Sequence, residues 1–412
     1  MRLSRRDILR TATAGPALAT IAPGLKVALA ATGTTKDTVV VLYLRGGSDG
    51  LQMVAPAGDS NYISARPTIR IQTTGNNAGL GIGTKDGTDF YLHYAMPELK
   101  EIYESGQLAI VHATGLKTDE RSHFECQSHM ELGANQDEPA QSTGWLTRHL
   151  NAMNSGQATL GTVSIASNTP QSMLGYSPAV AIADVNNFSV AGGDPVASVI
   201  RALNQGTSAY EKTAVKTLDA VDLVKDGLAG LSADDTDAEY TNSSLSKTLQ
   251  SLAALIKMDI GVEIAHVDMG GWDHHDNLIN EYNTRATDLS QSLSAFWADI
   301  ASMQDRVTVM TMTEFGRRFK ENGSAGLDHG SGSVMLVLGG NVNGGKIYGD
   351  WPGLASNQLF NGDLDVTTDY RRVIAEILAK RQGATNIDQV FPTVAYDPLG
   401  IVNGDDSGVI SA

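Results

Sequence analysis

Five short runs of β-branched and aliphatic residues punctuate the chain: Thr38–Leu44, Leu108–Ala113, Val262–Asp268, Val307–Thr313 and Val334–Leu338. Most are continuously apolar rather than alternating, the pattern of strands covered on both faces of a parallel sheet. Helical spacing lies between them, over Pro97–Ser105 before the second run, Leu289–Met303 before the fourth and Thr368–Lys380 after the fifth. This alternation predicts an α/β fold: a doubly wound, mostly parallel sheet flanked by helices. Residues 185–255 break the pattern. They are rich in Ala, Asp, Ser and Leu and carry no strong strand signal, so they read as a helical insertion or cap, and residues 401–412 read as a polar tail.

The first thirty residues stand apart. Ser4-Arg5-Arg6-Asp7-Ile8-Leu9-Arg10, a weakly apolar run and Ala28-Leu29-Ala30 read as a twin-arginine signal peptide with its cleavage site. The predicted product is periplasmic or secreted, carried out by the twin-arginine translocase. Gly15, Pro16, Pro23 and Gly24 break the apolar run, and no later segment reaches spanning length, so no stable membrane span is expected. A hydrophobic content of 42% supports a packed core, and a net charge of −16 excludes nucleic acid as a partner. The lone cysteine, Cys126, rules out an intramolecular disulfide and sits in a helical pattern as a small hydrophobe.

In an open α/β sheet, ligands gather at the carboxyl ends of the strands. Polar residues crowd the segments next to the predicted strands: Arg45–Gly50 (RGGSDG), Thr118–Glu125 (TDERSHFE), Asp268–His275 (DMGGWDHH), Glu314–Arg318 (EFGRR) and Asp328-His329-Gly330. Asp49 follows a strand among glycines that let backbone approach a ligand, which makes it a candidate metal ligand as well as a turn residue. Ser122 reads as a helix N-cap with Glu125 as capping-box partner. The same position suits a nucleophile, with His123 beside it as a ligand or acid–base group. Asp273 and His275, two apart, can grip one ion while His274 points away, and Trp272 reads as a packing wall. Glu314, at the end of the fourth strand, is a further candidate metal ligand as well as a possible helix-capping acid, and so is His329, which lies in a glycine-rich loop where a core histidine is not expected. Oxygen and imidazole donors suit a divalent Zn, Mn or Fe ion, one or two in number. Arg45, Arg121 and Arg317 are the candidates to hold an anionic group. His93, His112, His129, His149 and His266 read as structural.

LYLRGGSDGLQ, ERSHFECQ, GGWDHHDN, TEFGRR and LDHGSGS, in that order behind a twin-arginine signal, resemble the DUF1501 family over essentially the whole mature chain. That family is similar to the alkaline phosphatase and sulfatase superfamily. The resemblance implies one α/β domain over residues 36–400, an acid after the first strand (Asp49), a nucleophile at a helix start (Ser122), an Asp…His element (Asp273, His275) and a last histidine (His329). Where the superfamily carries Asp-His after the fourth strand, this chain has Glu314-Phe315. Phenylalanine cannot ligate metal, so His123 or His274 would have to take its place. The expectation is an exported metal-dependent hydrolase acting on a small anionic ester or a polysaccharide-linked one. The alternative is a non-catalytic metal-binding or assembly protein on the same fold.

Overall fold

The structure is a computed structural model that describes residues 37–154, 158–231 and 238–409. The twin-arginine segment lies outside the described residues. Each predicted strand is present within two residues at either end. The main sheet has nine strands: β1 (Thr38–Leu44), β2 (Leu108–Gly115), β3 (Thr162–Ser164), β4 (Val180–Ala181), β5 (Ile264–Met269), β6 (Val307–Met312), β7 (Ser333–Gly339), β8 (Ile347–Tyr348) and β9 (Thr368–Asp369). Their order is β8-β2-β7-β6-β1-β5-β3-β4, with β9 alongside β2. A separate three-stranded antiparallel sheet is built from Val54–Ala55, Leu80–Lys85 and Thr88–Leu92.

β1 explains the apolar runs. All seven of its residues are buried. Val40, Leu42 and Leu44 enter one hydrophobic core, and Val39, Val41 and Tyr43 enter the other. A strand with a core on each face has no polar side to show in its sequence. The first core is covered by α1 (Pro97–Glu104), and the second by the later helix over Tyr370–Gln382. Further along, α2 (His123–Leu132) follows β2, capped at its far end by Gly133 in the left-handed region.

The segment 185–255 holds α3 (Gly193–Leu203), α4 (Ala209–Gly230) and most of α5 (Ser244–Lys257). α3 buries none of its residues. α5 is different: Leu249, Leu252 and Leu255 are fully buried in the first core. The layer that flanks the sheet therefore begins before residue 255. The helix expected at Leu289–Met303 is α6 (Leu278–Asp299), which starts eleven residues earlier and is followed by a 3-10 segment over Ala301–Arg306. Leu278, Tyr282, Ala286, Leu289, Leu293 and Phe296 form its buried stripe, and the first three carry the period upstream of Leu289. α7 (Tyr370–Gln382) draws in part of the expected tail. Its buried Glu376 accepts the backbone N–H groups of Leu399, Gly400 and Val402, and Ile401 and Val402 are buried. Among the described residues no helix is long and apolar enough to cross a membrane.

β7 is the one strand of the main sheet that runs against the others, antiparallel to both β6 and β2. No helix intervenes between β6 and β7 to make the crossover that a parallel pair needs. The reversal brings the start of β7 to the edge where β1, β2, β5 and β6 end. His329, four residues before β7, thus meets residues that follow the other strands.

Two buried histidines are expected to make the fold acid-labile. Burial pushes the His93 ring down to about 3 and the His112 ring down to about 4. The unfolded chain takes up these protons near the ordinary value of about 6.5, so stability is fully present above that pH and is lost as pH falls toward 4, by about 1.4 kcal/mol per pH unit for each ring. The urea midpoint should therefore drop between pH 7 and pH 5, and drop less in His112→Gln. An unchanged slope in that variant would place the acid lability elsewhere.

Candidate metal centre

Four side chains converge at this sheet edge. His123 starts α2 after β2, Asp273 and His275 lie on the loop after β5, and His329 lies before β7. One ligand atom from each of His123, Asp273 and His329 falls within 4.8 Å of the other two. His275 joins them, with its Nε2 3.0 Å from Asp273 Oδ1 and 3.0 Å from His329 Nε2. Gly46 lets the loops close. Its φ is +118°, and a Cβ there would sit 2.7 Å from the Asp273 backbone nitrogen.

Each imidazole is held from behind by an oxygen. His123 Nδ1 meets Glu314 Oε1 at 2.8 Å, His275 Nδ1 meets Asp328 Oδ1 at 3.2 Å, and His329 Nδ1 meets the Arg121 carbonyl at 2.7 Å. Carboxylates and carbonyls only accept, so the neutral rings carry their protons on Nδ1 and turn Nε2 lone pairs inward. Two such lone pairs 3.0 Å apart repel unless a cation lies between them. His123 Nε2 is buried and has no hydrogen-bond partner. These features fit a divalent metal held by three imidazoles and one carboxylate, with the acceptors behind the rings fixing their orientation. Burial alone would raise the Asp273 carboxyl, but the Arg317 guanidinium outweighs it and holds it at about 2, so the group is ionised throughout the physiological range. The hydrogen bond that His123 donates to Glu314 raises His123, while burial lowers His329.

The geometry redistributes the expected roles. Asp273, His275 and His329 are brought together as the sequence suggested. His123, read as a ligand or an acid–base group, stands in the same cluster, with a ligand atom within 4.8 Å of those of Asp273 and His329. Glu314 does not face the cluster as a ligand. It is buried, its Oε1 accepts from Gly46 N, His123 Nδ1 and Gln127 Nε2, and it orients His123. Asp49 is not in the cluster either. Its carboxylate is paired with the fully buried guanidinium of Arg66. Ser122 is the N-cap of α2, and its hydroxyl accepts a long 3.5 Å bond from Glu125 N. The expected reciprocal partner is replaced: Glu120 Oε1 takes the Ser122 and Arg121 N–H groups.

The three arginines read as anion holders are already engaged. Arg45 pairs with Glu131 and Asp268 and stacks on Tyr43. Arg121 binds Thr118 O, Glu120 O, Ser331 Oγ and Asp363 Oδ2. Arg317 is buried, spends its donors on the carbonyls of Gly46, Gly47, Trp272 and Leu327, and gives Asp273 Oδ1 a 2.6 Å bond. It is a positioning residue for Asp273. His274 is buried beside Trp272 and turned away from the cluster, with its rings against Trp272 and Tyr282. Phe315 walls the cluster on one side, its ring 4.9 Å from His123 and 4.7 Å from His329.

Sequence reasoning missed Asp328 and Gln127 as supports. Asp328 directly precedes His329 but serves His275, and Gln127 lies one turn along α2 from His123, so adjacency and helical spacing were the available signals. Glu314→Gln should keep the fold and weaken metal binding roughly 10- to 100-fold, because a neutral acceptor holds His123 less firmly. Competition with a chelating dye checks this, and unchanged affinity would remove Glu314 from the supporting shell.

No curated protein matches this chain. Several solved structures are similar to it. The C-terminal periplasmic domain of EcEptC from Escherichia coli, in complex with Zn, is 10% identical with a TM-score of 0.36, over 75% of this chain and 74% of that one. Alkaline phosphatase from the Antarctic bacterium TAB5 is 12% identical with a TM-score of 0.28, over 74% of this chain and 92% of that one. The PsFucS1 sulfatase from Pseudoalteromonas sp. is 10% identical with a TM-score of 0.32, over 76% of this chain and 64% of that one. A family model matches residues 121–392, a stretch that holds His123, Asp273, His275, Glu314 and His329, and by that match the chain belongs to the family described as protein of unknown function, DUF1501.

Proposed function

We propose that the protein is an exported, metal-dependent hydrolase of phosphate or sulfate esters. The observation that carries this reading is the inward convergence of three Nε2 lone pairs and the Asp273 carboxylate, each imidazole fixed from behind. A divalent Zn, Mn or Fe ion bound there would supply Lewis acidity and neutralise charge on an ester oxygen. His123, His275 and His329 would hold the ion through their inward Nε2 atoms, and Asp273 stays ionised because Arg317 stabilises its charge. Phe315 excludes water from one flank of the cluster. Ser122, at the first turn of α2, is the hydroxyl placed next to a ligand and is the proposed nucleophile. Export follows from the N-terminal twin-arginine pattern, which supports a periplasmic or secreted location.

The test is elemental analysis of protein taken from its export route, together with turnover on a panel of phosphate and sulfate monoesters. One equivalent of metal with turnover is the expected result. A second reading has its own support: Arg45, Arg121 and Arg317 are each already engaged by protein oxygens, which leaves less of their donor capacity for an anion. Stoichiometric metal with no turnover on any ester would favour a binding or assembly protein. Absence of metal would overturn both.

A further inference from the structure

His275 is the least enclosed of the three imidazoles. Its side chain is 46% exposed, against 24% for His123 and 21% for His329. Phe315 packs on the rings of His123 and His329, whereas His275 meets only the ring of His329. Packing therefore orients His275 least. The acceptor behind it, Asp328, is itself 62% exposed. A carboxylate that open to water keeps its rotamer freedom unless something else fixes it, and so gives a ring little support by itself.

Asn322, on the loop between β6 and β7, ties both groups down. Its Oδ1 accepts the backbone N–H groups of Ser324 at 2.9 Å and Gly326 at 3.0 Å, which settles the end of the amide that carries the oxygen. Nδ2 therefore faces the other way. It donates to the His275 carbonyl at 2.8 Å and reaches Asp328 Oδ1 at 3.4 Å, the same oxygen that accepts from His275 Nδ1. One amide, with all four of its hydrogen-bonding positions used, thus grips the main chain of His275 and the carboxylate behind its ring. The backbone on either side follows the same path. Leu327 N donates to His274 O, Asn277 N to Ser324 O and Leu278 N to Ala325 O. Gly326 permits this approach, since a Cβ there would sit 2.2 Å from the His275 carbonyl carbon.

We propose that Asn322 is a positioning residue of the metal centre, which joins the loop after β5 to the loop before β7 and holds His275 and Asp328 in the metal-binding arrangement. It offers no ligand to the ion and acts through His275. The inference rests on the metal centre of the hydrolase reading, and not on turnover.

The experiment is competition with a chelating dye for Zn on the full chain, in wild type, Asn322→Ala, Asn322→Asp, His275→Ala and the double variant Asn322→Ala/His275→Ala, with urea midpoints of the same proteins. Asn322→Ala should weaken Zn binding about 10- to 100-fold, as for other supports of a ligating histidine. In the His275→Ala background the same change should cost about 2-fold or less, because the group it acts through is gone. Asn322→Asp keeps the acceptor for Ser324 and Gly326 and loses the donor to His275 and Asp328. An added negative charge alone would favour a cation, so weaker Zn binding by this variant isolates the lost donor. Unchanged affinity in Asn322→Ala, an undiminished loss in the His275→Ala background, or Zn binding by Asn322→Asp as tight as in wild type would each overturn the proposal and leave Asn322 a support of its loop alone. Weaker Zn binding by the Asn322 variants of a protein that turns over no ester would keep the proposal and reject the hydrolase reading. Wild-type protein that binds no Zn would overturn both.

Discussion

Asp273→Ala is expected to abolish both stoichiometric metal and ester turnover. Its carboxylate is the one anionic member of the cluster, within 3.3 Å of His123, His275 and His329. Zinc sites of this type release about 10–16 kcal/mol on binding. Divided among four ligands, that is about 2.5–4 kcal/mol each, or roughly a 10²- to 10³-fold loss of affinity for one ligand removed. His275→Ala and His329→Ala should fall in the same range, and Glu314→Gln should fall below it because it acts through His123. Asp273→Ala also leaves Arg317 without its anionic partner, so a lower urea midpoint is expected beside the metal loss. Asp273→Asn separates the two effects, since an amide oxygen still accepts from Arg317 while binding a cation weakly. Elemental analysis and chelator competition on these variants provide the check. An Asp273→Ala protein that retained one equivalent of metal and full turnover would mean that the cluster is not the site.

That order of effects reflects how the site was legible. Asp273, His275 and His329 stand out in sequence because they are polar residues in glycine-rich stretches next to apolar strands, where a core explanation fails. Their convergence follows from the sheet: β1, β2, β5 and β6 end at one edge, and the reversed β7 begins there. What the sequence does not carry is the partner of each polar group. His123 could be a base or a ligand until Glu314, 191 residues away, fixes which nitrogen bears the proton. Arg317 reads as an anion clamp until four backbone carbonyls occupy it, and carbonyls leave no trace in residue types.

Asp49 sets the clearest contrast between the two kinds of buried acid, and it yields the second large effect. Removing it should unfold the protein more readily without touching the metal. Arg66 is fully buried, meets Asp49 through both terminal nitrogens, and gives its other donors to the carbonyls of Phe319 and Arg318. Breaking such a pair from one side strands a desolvated charge, at a cost of about 3–5 kcal/mol. For a chain of this size that is roughly 4–6 °C in Tm. Asp49→Ala and Arg66→Met should each show this loss, and the double variant should recover much of it, because neither charge is then left alone. Calorimetric melting of the four proteins measures the coupling, and elemental analysis of the same samples should find one equivalent of metal in all of them. If Asp49→Ala instead lost its metal at unchanged Tm, Asp49 would belong in the ligand set. If it lost stability and kept the metal, the acid after the first strand would be a support of the fold, and the centre would rest on His123, Asp273, His275 and His329 alone.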